Sequence, residues 1–295
     1  MGRSKKNGKH WLIFKFKQLN NFRSKNQIVV LLFIILLGIN PKLFAQNTED
    51  SIYRFNGKYL VSYWHDTKYI VTEPIRWKGQ QWATFAGIAT AWTVTFAMDE
   101  DIYEFFQSNR SGATNKTSKW VEPFGSGYYS LPVLAGIYVL SDRHSRHRNI
   151  ALTGLKAYIL AGGAAAVGKH LFHRHRPDEN DPPNPYLWDG PYPFTFDHVS
   201  FPSGHTTSAF AVASVLAMGY RDKPWVGIAS YTLASLVGLS RVNDTRHWTS
   251  DVVAGAALGS FIGLTLSKIH FSKNVRVEPG YSYNGAGLKL SWTLQ

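Results

Sequence analysis

Three short blocks in the second half of the chain hold residues fit for chemistry. They are Lys169 with Arg176-Pro177, then Pro202-Ser203-Gly204-His205, then Ser240-Arg241 with His247 and Asp251. Together they offer three cations, two histidines, a carboxylate and a Ser-Gly turn opening a helix. That set suits gripping a tetrahedral oxyanion and attacking it with a histidine. Arginine presents a planar fork to two phosphate oxygens, and lysine a point charge. A helix opening at Ser203 turns free N–H groups and a favourable dipole toward an anion, and Gly204 lets the backbone approach it. His247 and Asp251, four apart, share a helical face. The carboxylate can fix the imidazole tautomer and stabilise its cation. Each block alone has a plainer reading: surface cations at Lys169, Arg176 and Arg241, an ordinary N-cap with a surface histidine, an Asp251 that only caps a helix. Their occurrence together, in order and each at a helix boundary, favours the chemical reading.

These residues need helices to position them. Apolar helical stretches recur at about 82–98, 128–141, 149–168, 206–220, 224–240 and 252–269. They are rich in Ala and Gly, which let helices approach closely in lipid and in tight soluble bundles. Lys169 and Arg176 are two turns apart and share a face if their helix persists; Pro177 predicts its end at Arg176. The stretch from Pro177 to Pro202, loaded with Pro, Asp and Asn, reads as a long functional loop. Asp99, Glu100, Asp101 and Glu104 read as a solvated helix end. His170, His173 and His175 interleave the first block but lack nearby carboxylates in sequence, so no metal site is expected. His198 reads as a rim residue at most, and Asp244 with Arg246 as a surface pair. At the C-terminus, Leu288, Leu290, Trp292 and Leu294 alternate with polar residues after Asn284-Gly285, which predicts a short β-hairpin within 271–295.

The formal charge of +13 suggests nucleic acid, but its distribution argues against that partner. Residues 1–45 hold nine Lys/Arg and no acidic residue, leaving 23 basic against 19 acidic residues in 46–295. The basic stretch leads into an apolar run, Ile28 to Ile39, too short for an ordinary span. With Leu43-Phe44-Ala45 following, residues 1–45 read as a secretory signal peptide cleaved after Ala45, with an uncleaved anchor as the alternative. Residues 46–80, rich in Tyr and Trp, are expected as an N-terminal segment lying over the core or at a lipid interface. Zero cysteines remove thiol catalysis and thiolate metal sites.

Lys-x6-Arg-Pro, Pro-Ser-Gly-His and Ser-Arg-x5-His-x3-Asp resemble the three-part signature of the type 2 phosphatidic acid phosphatase (PAP2) superfamily. That superfamily includes bacterial acid phosphatases, lipid phosphatases, glucose-6-phosphatase and vanadium haloperoxidases. Every signature position is filled, and the resemblance covers residues 80–270, expected as one PAP2 domain over 81–270. It implies an all-α fold, a six-helix PAP2-type bundle that is membrane-embedded or membrane-associated. It implies a metal-independent phosphatase acting through a phosphohistidine, with no cofactor. The roles it implies are His247 as nucleophile, Asp251 orienting it, and His205 as general acid. Lys169, Arg176, Ser203, Gly204 and Arg241 would bind the phosphate. Three cations can do the charge neutralisation that phosphoryl transfer demands.

The Trp and Tyr content and the apolar helices suit a phosphorylated lipid or isoprenoid carrying a phosphomonoester or pyrophosphate. A broad-specificity soluble periplasmic acid phosphatase is the first alternative; a vanadium-dependent haloperoxidase or a non-catalytic membrane scaffold is the second. The basic turn Arg143 to Arg148 would be cytoplasmic by the positive-inside rule, which puts the site outside. A cleaved signal followed by six full spans would put it inside. The two agree if one segment, such as 82–98, does not span, or if the bundle sits on the membrane. The expected location is therefore a bacterial cell envelope: exported, membrane-associated, with the site facing the periplasm.

Overall fold

The computed structural model describes residues 54–191 and 198–271, together with the backbone of 275–282 and 285–292. The expected signal region, the start of the 46–80 segment and Asn284 of the expected turn lie outside the described residues. The helices are α1 (Gly57–Thr72), α2 (Gly79–Ala97), α3 (Asp99–Ser108), α4 (Gly112–Gly125), α5 (Ser130–Leu140), α6 (Arg146–Phe172), α7 (Gly204–Gly219), α8 (Pro224–Asn243) and α9 (Thr249–Phe271). The fold is all-α, and the six apolar stretches correspond to α2 and α5 to α9. Helices α1, α3 and α4 are too polar for the same pattern to reveal. Near the C-terminus Val275–Ser282 runs antiparallel to Gly285–Trp292, with Ser282 opposite Gly285.

Helix α7 lies at the centre and packs on α6, α8 and α9. Its buried residues are small: Thr206, Thr207, Ser208, Ala211, Val212, Ala213, Ser214 and Val215. The facing stripe of α9 is glycine at every fourth position. A Cβ on Gly259 would stand 2.1 Å from the Thr207 carbonyl oxygen, and one on Gly263 2.3 Å from that of Ala211. Gly255 likewise lies against the Ser203 carbonyl. The two backbones therefore touch without intervening side chains, as small-residue stripes permit.

Helix α1 docks on α6 and α9 through a buried polar cluster. Tyr59 donates to the Leu152 carbonyl at 2.7 Å. Asp66 accepts from Lys156 and lies 2.9 Å from His270 Nε2. Buried charges persist where they are paired in this way.

Helix α6, at 27 residues, spans about 40 Å. Its C-terminus meets the start of α7, where a Cβ on Gly204 would lie 3.7 Å from Lys169 Cε. The Ser203 N–H donates to the Asp251 carbonyl at 3.1 Å, joining the starts of α7 and α9. The end of α8 and the start of α9 are joined by a short turn whose Arg246 N–H donates to Arg241. Four helix termini thus meet at one end of the bundle, opposite the basic turn before α6. Helices α6 and α9 are long and apolar enough to cross a membrane. Helix α2 buries none of its residues and exposes Trp82, Phe85, Ile88 and Val94.

Gly259→Ala should force α7 and α9 apart and destabilise by about 1–3 kcal/mol, read as a lower unfolding temperature. Gly87→Ala on α2, where a Cβ meets nothing within 4 Å, should be neutral or slightly stabilising through helix propensity. Equal effects at both positions would remove the close-packing argument.

Candidate active site

The converging termini bring the three sequence blocks together. Helix α6 stops at Phe172, capped by His173 in a left-handed conformation (φ 41°), four residues before the expected end at Arg176. Lys169 and Arg176 therefore do not share one helix face. They meet because the chain turns back after His173. His175 N–H donates to Leu187 O and Asp189 N–H to His173 O, both at 3.1 Å, pinning that turn against residues 187–189. Lys169 donates from Nζ to the Val199 carbonyl at 2.8 Å.

Asp251, in the first turn of α9, is fully buried and heavily bonded. It accepts from Arg174 at 2.6 Å, from Ser200 Oγ at 2.6 Å and from the Trp248 N–H at 2.9 Å. His247 Nδ1 lies 3.8 Å from Asp251 Oδ2, an ionic contact beyond hydrogen-bond range. That nitrogen has no hydrogen-bond partner, and neither has the buried Nε of Arg176 or of Arg241. The two unmatched guanidinium N–H groups are donors that a tetrahedral anion would satisfy. Burial pushes His247 down to about 3, against the pull of Asp251 and helped by the nearby Lys169 and Arg176. The imidazole is thus held neutral, with its lone pair free.

His205 opens α7, half-buried, with Nε2 2.7 Å from Glu122 of α4. Burial lowers it below the usual histidine range although the Glu122 carboxylate opposes this. Arg241, at the end of α8, pairs with Asp244 at 2.6 Å and stands 3.5 Å from Glu122. Ser203 occupies the N-cap of α7, but its hydroxyl pairs with Thr206 Oγ1 at 2.9 Å and caps no N–H. His205 feels Arg241 and Lys169, and His247 feels Lys169 and Arg176, so the six charged or titrating positions form one electrostatic cluster. The arrangement gathers three cations and two imidazoles at one end of the bundle, a set suited to a tetrahedral anion.

Several sequence expectations need correction. Asp99 is no solvated helix end: it is buried at the start of α3 and accepts from Arg174 at 2.7 Å and from the Ser250 N–H at 2.9 Å. Asp244 and Arg246 do not pair with each other; Arg246 reaches Asp178 at 2.9 Å. Two further residues of the site, Arg174 and Glu122, carry no sequence signal. Arg174 lies between two signature positions and looks like one more loop cation. Glu122 comes from a helix more than 80 residues upstream of His205, with no local pattern to mark it.

Arg174 has no exposed surface, bridges two buried carboxylates and stacks near Trp188 at 4.8 Å. Arg174→Met should destabilise by about 3–5 kcal/mol, because it strands both charges in the interior. Adding Asp99→Asn should recover part of that loss in thermal or denaturant unfolding. Additive losses would mean that the two residues do not act as a pair.

Residues 151–274 match the family model of the PAP2 superfamily. A lipid A 1-phosphatase of Porphyromonas gingivalis is 40% identical over 105 residues, which are 35% of this chain and 20% of that protein. The chain therefore spans about a fifth of that relative's length. An undecaprenyl-diphosphatase of Sulfolobus acidocaldarius is 28% identical over 162 residues, 55% of this chain and 73% of that one. Among solved structures, a transmembrane PAP2 type phosphatidylglycerolphosphate phosphatase from Bacillus subtilis aligns with a TM-score of 0.47 at 22% identity, covering 62% of this chain and 94% of that chain. All three signature blocks fall within residues 151–274, the stretch that matches the PAP2 superfamily model.

Proposed function

We propose that the protein is a metal-independent phosphatase that removes a phosphomonoester or pyrophosphate group from a membrane lipid or isoprenoid through a phosphohistidine. The observation that carries this reading is the neutral, buried His247 beside Lys169 and Arg176, with a second histidine on the facing helix start. His247 Nδ1 faces Asp251, which leaves Nε2 as the attacking atom. Its lone pair forms the N–P bond while the P–O bond to the leaving group breaks. His205 gives its proton to that leaving oxygen. In the second half a water attacks phosphorus, His205 takes the water's proton, the N–P bond breaks, and phosphate departs. Lys169, Arg176 and Arg241 hold the non-bridging oxygens, joined by N–H groups at the Ser203-Gly204 helix start. Asp251 stabilises the positive charge that builds on His247.

A lipid substrate is supported by the exposed apolar faces of α2 and α5 and by the lengths of α6 and α9, which suit a bundle at a membrane. Two relatives carry the names lipid A 1-phosphatase and undecaprenyl-diphosphatase, which supports a phosphorylated lipid as substrate. The site lies at the bundle end opposite the basic turn, so the positive-inside rule turns it toward the periplasm.

Phosphate release by the purified protein, in EDTA, across lipid and soluble phosphates, tests the reading. Activity should survive the chelator, favour an amphiphilic substrate and fall at least about 10⁴-fold in His247→Ala, the scale of losing an attacking nucleophile. Release abolished by EDTA, or retained by the variant, would overturn it. A soluble monoester as best substrate would support the acid phosphatase alternative.

The pH profile follows from the histidine environments. His247 works unprotonated and sits near 3, so its limb of kcat/KM rises at low pH. His205 works protonated and lies below its ordinary value, so activity falls as pH rises through that value. The profile should be a bell displaced to the acid side. Glu122→Gln removes the carboxylate that opposes this lowering, so the descending limb should move to still lower pH. A limb unmoved by the substitution would exclude Glu122 as the partner that tunes the acid.

A further inference from the structure

The loop over the site carries a second constellation that the phosphatase reading does not use. His175, Asp189 and His198 bring one donor atom each within 4.8 Å of one another. His175 Nε2 is 3.0 Å from Asp189 Oδ2, and His198 Nε2 is 3.7 Å from the same oxygen. Tetrahedral ligands at zinc bond lengths are separated by about 3.3 Å, between those two values. We propose that these three residues form a binding site for a borderline divalent cation of the zinc class, which clamps the active-site loop and takes no part in phosphoryl transfer.

The surroundings have the features of a metal site beyond its first ring of ligands. His198 presents Nδ1 to Glu179 Oε2 at 2.9 Å. A carboxylate that takes the Nδ1 proton fixes the tautomer whose Nε2 lone pair faces Asp189, the arrangement that orients zinc-ligating histidines. Glu179 is itself held by the Arg176 N–H at 2.9 Å. His175 presents Nδ1 to the Asn180 amide at 3.1 Å. With Nε2 on a cation, the ring proton resides on Nδ1, and a turn of that amide offers its oxygen as acceptor. The backbone is framed in advance: the 173–175 and 187–189 segments are hydrogen-bonded to each other, and Ser200 N–H donates to Arg174 O at 2.9 Å. His198 holds a left-handed backbone (φ 57°), strained for a residue with a side chain and found where structure serves a site.

Two imidazoles and one carboxylate favour a zinc-like ion over magnesium. The stacked rings of His175 and His198, 3.5 Å apart and 4° from parallel, must splay for both lone pairs to converge, a rotation their partial exposure allows. Three protein ligands leave a fourth position open to water. A cation there would tie residues 175, 189 and 198 together directly beside Arg176. The inference rests on this loop geometry and stands whether or not the site below it is a phosphatase.

The test is titration of the EDTA-stripped full chain with Co²⁺ alone, read by visible d–d absorption, and with Zn²⁺, read by metal content after gel filtration. The wild type should take up one ion per chain and gain thermal stability. His198→Ala and Asp189→Asn should each lose that ion, while Glu179→Gln should weaken affinity by about 10–100-fold. His247→Ala should bind as the wild type does. Absence of binding in the wild type, or a His198→Ala protein that is folded by circular dichroism and binds Co²⁺ undiminished, would overturn the proposal. So would a Glu179→Gln protein with unaltered affinity, because the oriented histidine would then play no part.

Discussion

The guanidinium of Arg174 is the constraint that the rest of the site obeys. It is wholly buried and shared between Asp99 at the start of α3 and Asp251 at the start of α9. An arginine can occupy such a place because its planar fork meets two acceptors at once and its charge is matched on both sides. The carboxylate beside His247 is consequently fixed before any substrate arrives. Its remaining lone pairs are filled by Ser200 and by the Trp248 N–H. Asp251 has no freedom to swing toward another partner, so the field it exerts on the imidazole is preorganised.

That fixed point would be useless without helices that hold station. The glycine stripe of α9 brings its backbone onto α7, which sets the distance between the helix carrying Asp251 and the helix carrying His205. Helix α1 contributes from the far end, where Asp66, Lys156 and His270 lock it onto α6 and α9. The first device is backbone contact without side-chain volume, and the second is a buried, paired charge cluster. The outward faces of α2 and α5 expose apolar residues such as Trp82, Ile88, Val133 and Val139, which makes the bundle dense inside and greasy outside.

Much of this was legible in the chain and some was not, for identifiable reasons. The three blocks were visible because their chemistry demands particular residue types at fixed spacings, and the structure gathers all of them. The six apolar helices were visible because burial or lipid contact imposes long apolar runs. Helix α4 escapes the apolar pattern because its sequence is polar, and its site residue, Glu122, has its partner far along the chain. Asp99 was misread because an acidic cluster at a helix start looks solvated until its counter-charge is known. The early end of α6 was missed because Pro177 marks a boundary only from its own side. The left-handed turn at His173 closes the helix first, and no glycine signals it. The sequence neighbours of His175 show no carboxylate partner, because Asp189 and His198 reach it from across the loop.

Under the proposed phosphatase mechanism, Glu122 has a consequence for turnover. It sits against His205 and Arg241, two groups that a phosphoryl oxygen would otherwise engage. The protein thus carries its own anion beside the place where a phosphate is to be held. A doubly charged substrate bound through all three cations can outcompete one carboxylate, whereas an inorganic phosphate that has lost the binding contribution of its organic tail competes on poorer terms. As the product loosens, the carboxylate recovers its guanidinium and imidazole contacts. On that mechanism an internal acidic side chain would act as a built-in antidote to product inhibition, favouring release from a site whose concentrated positive charge would otherwise retain what it makes.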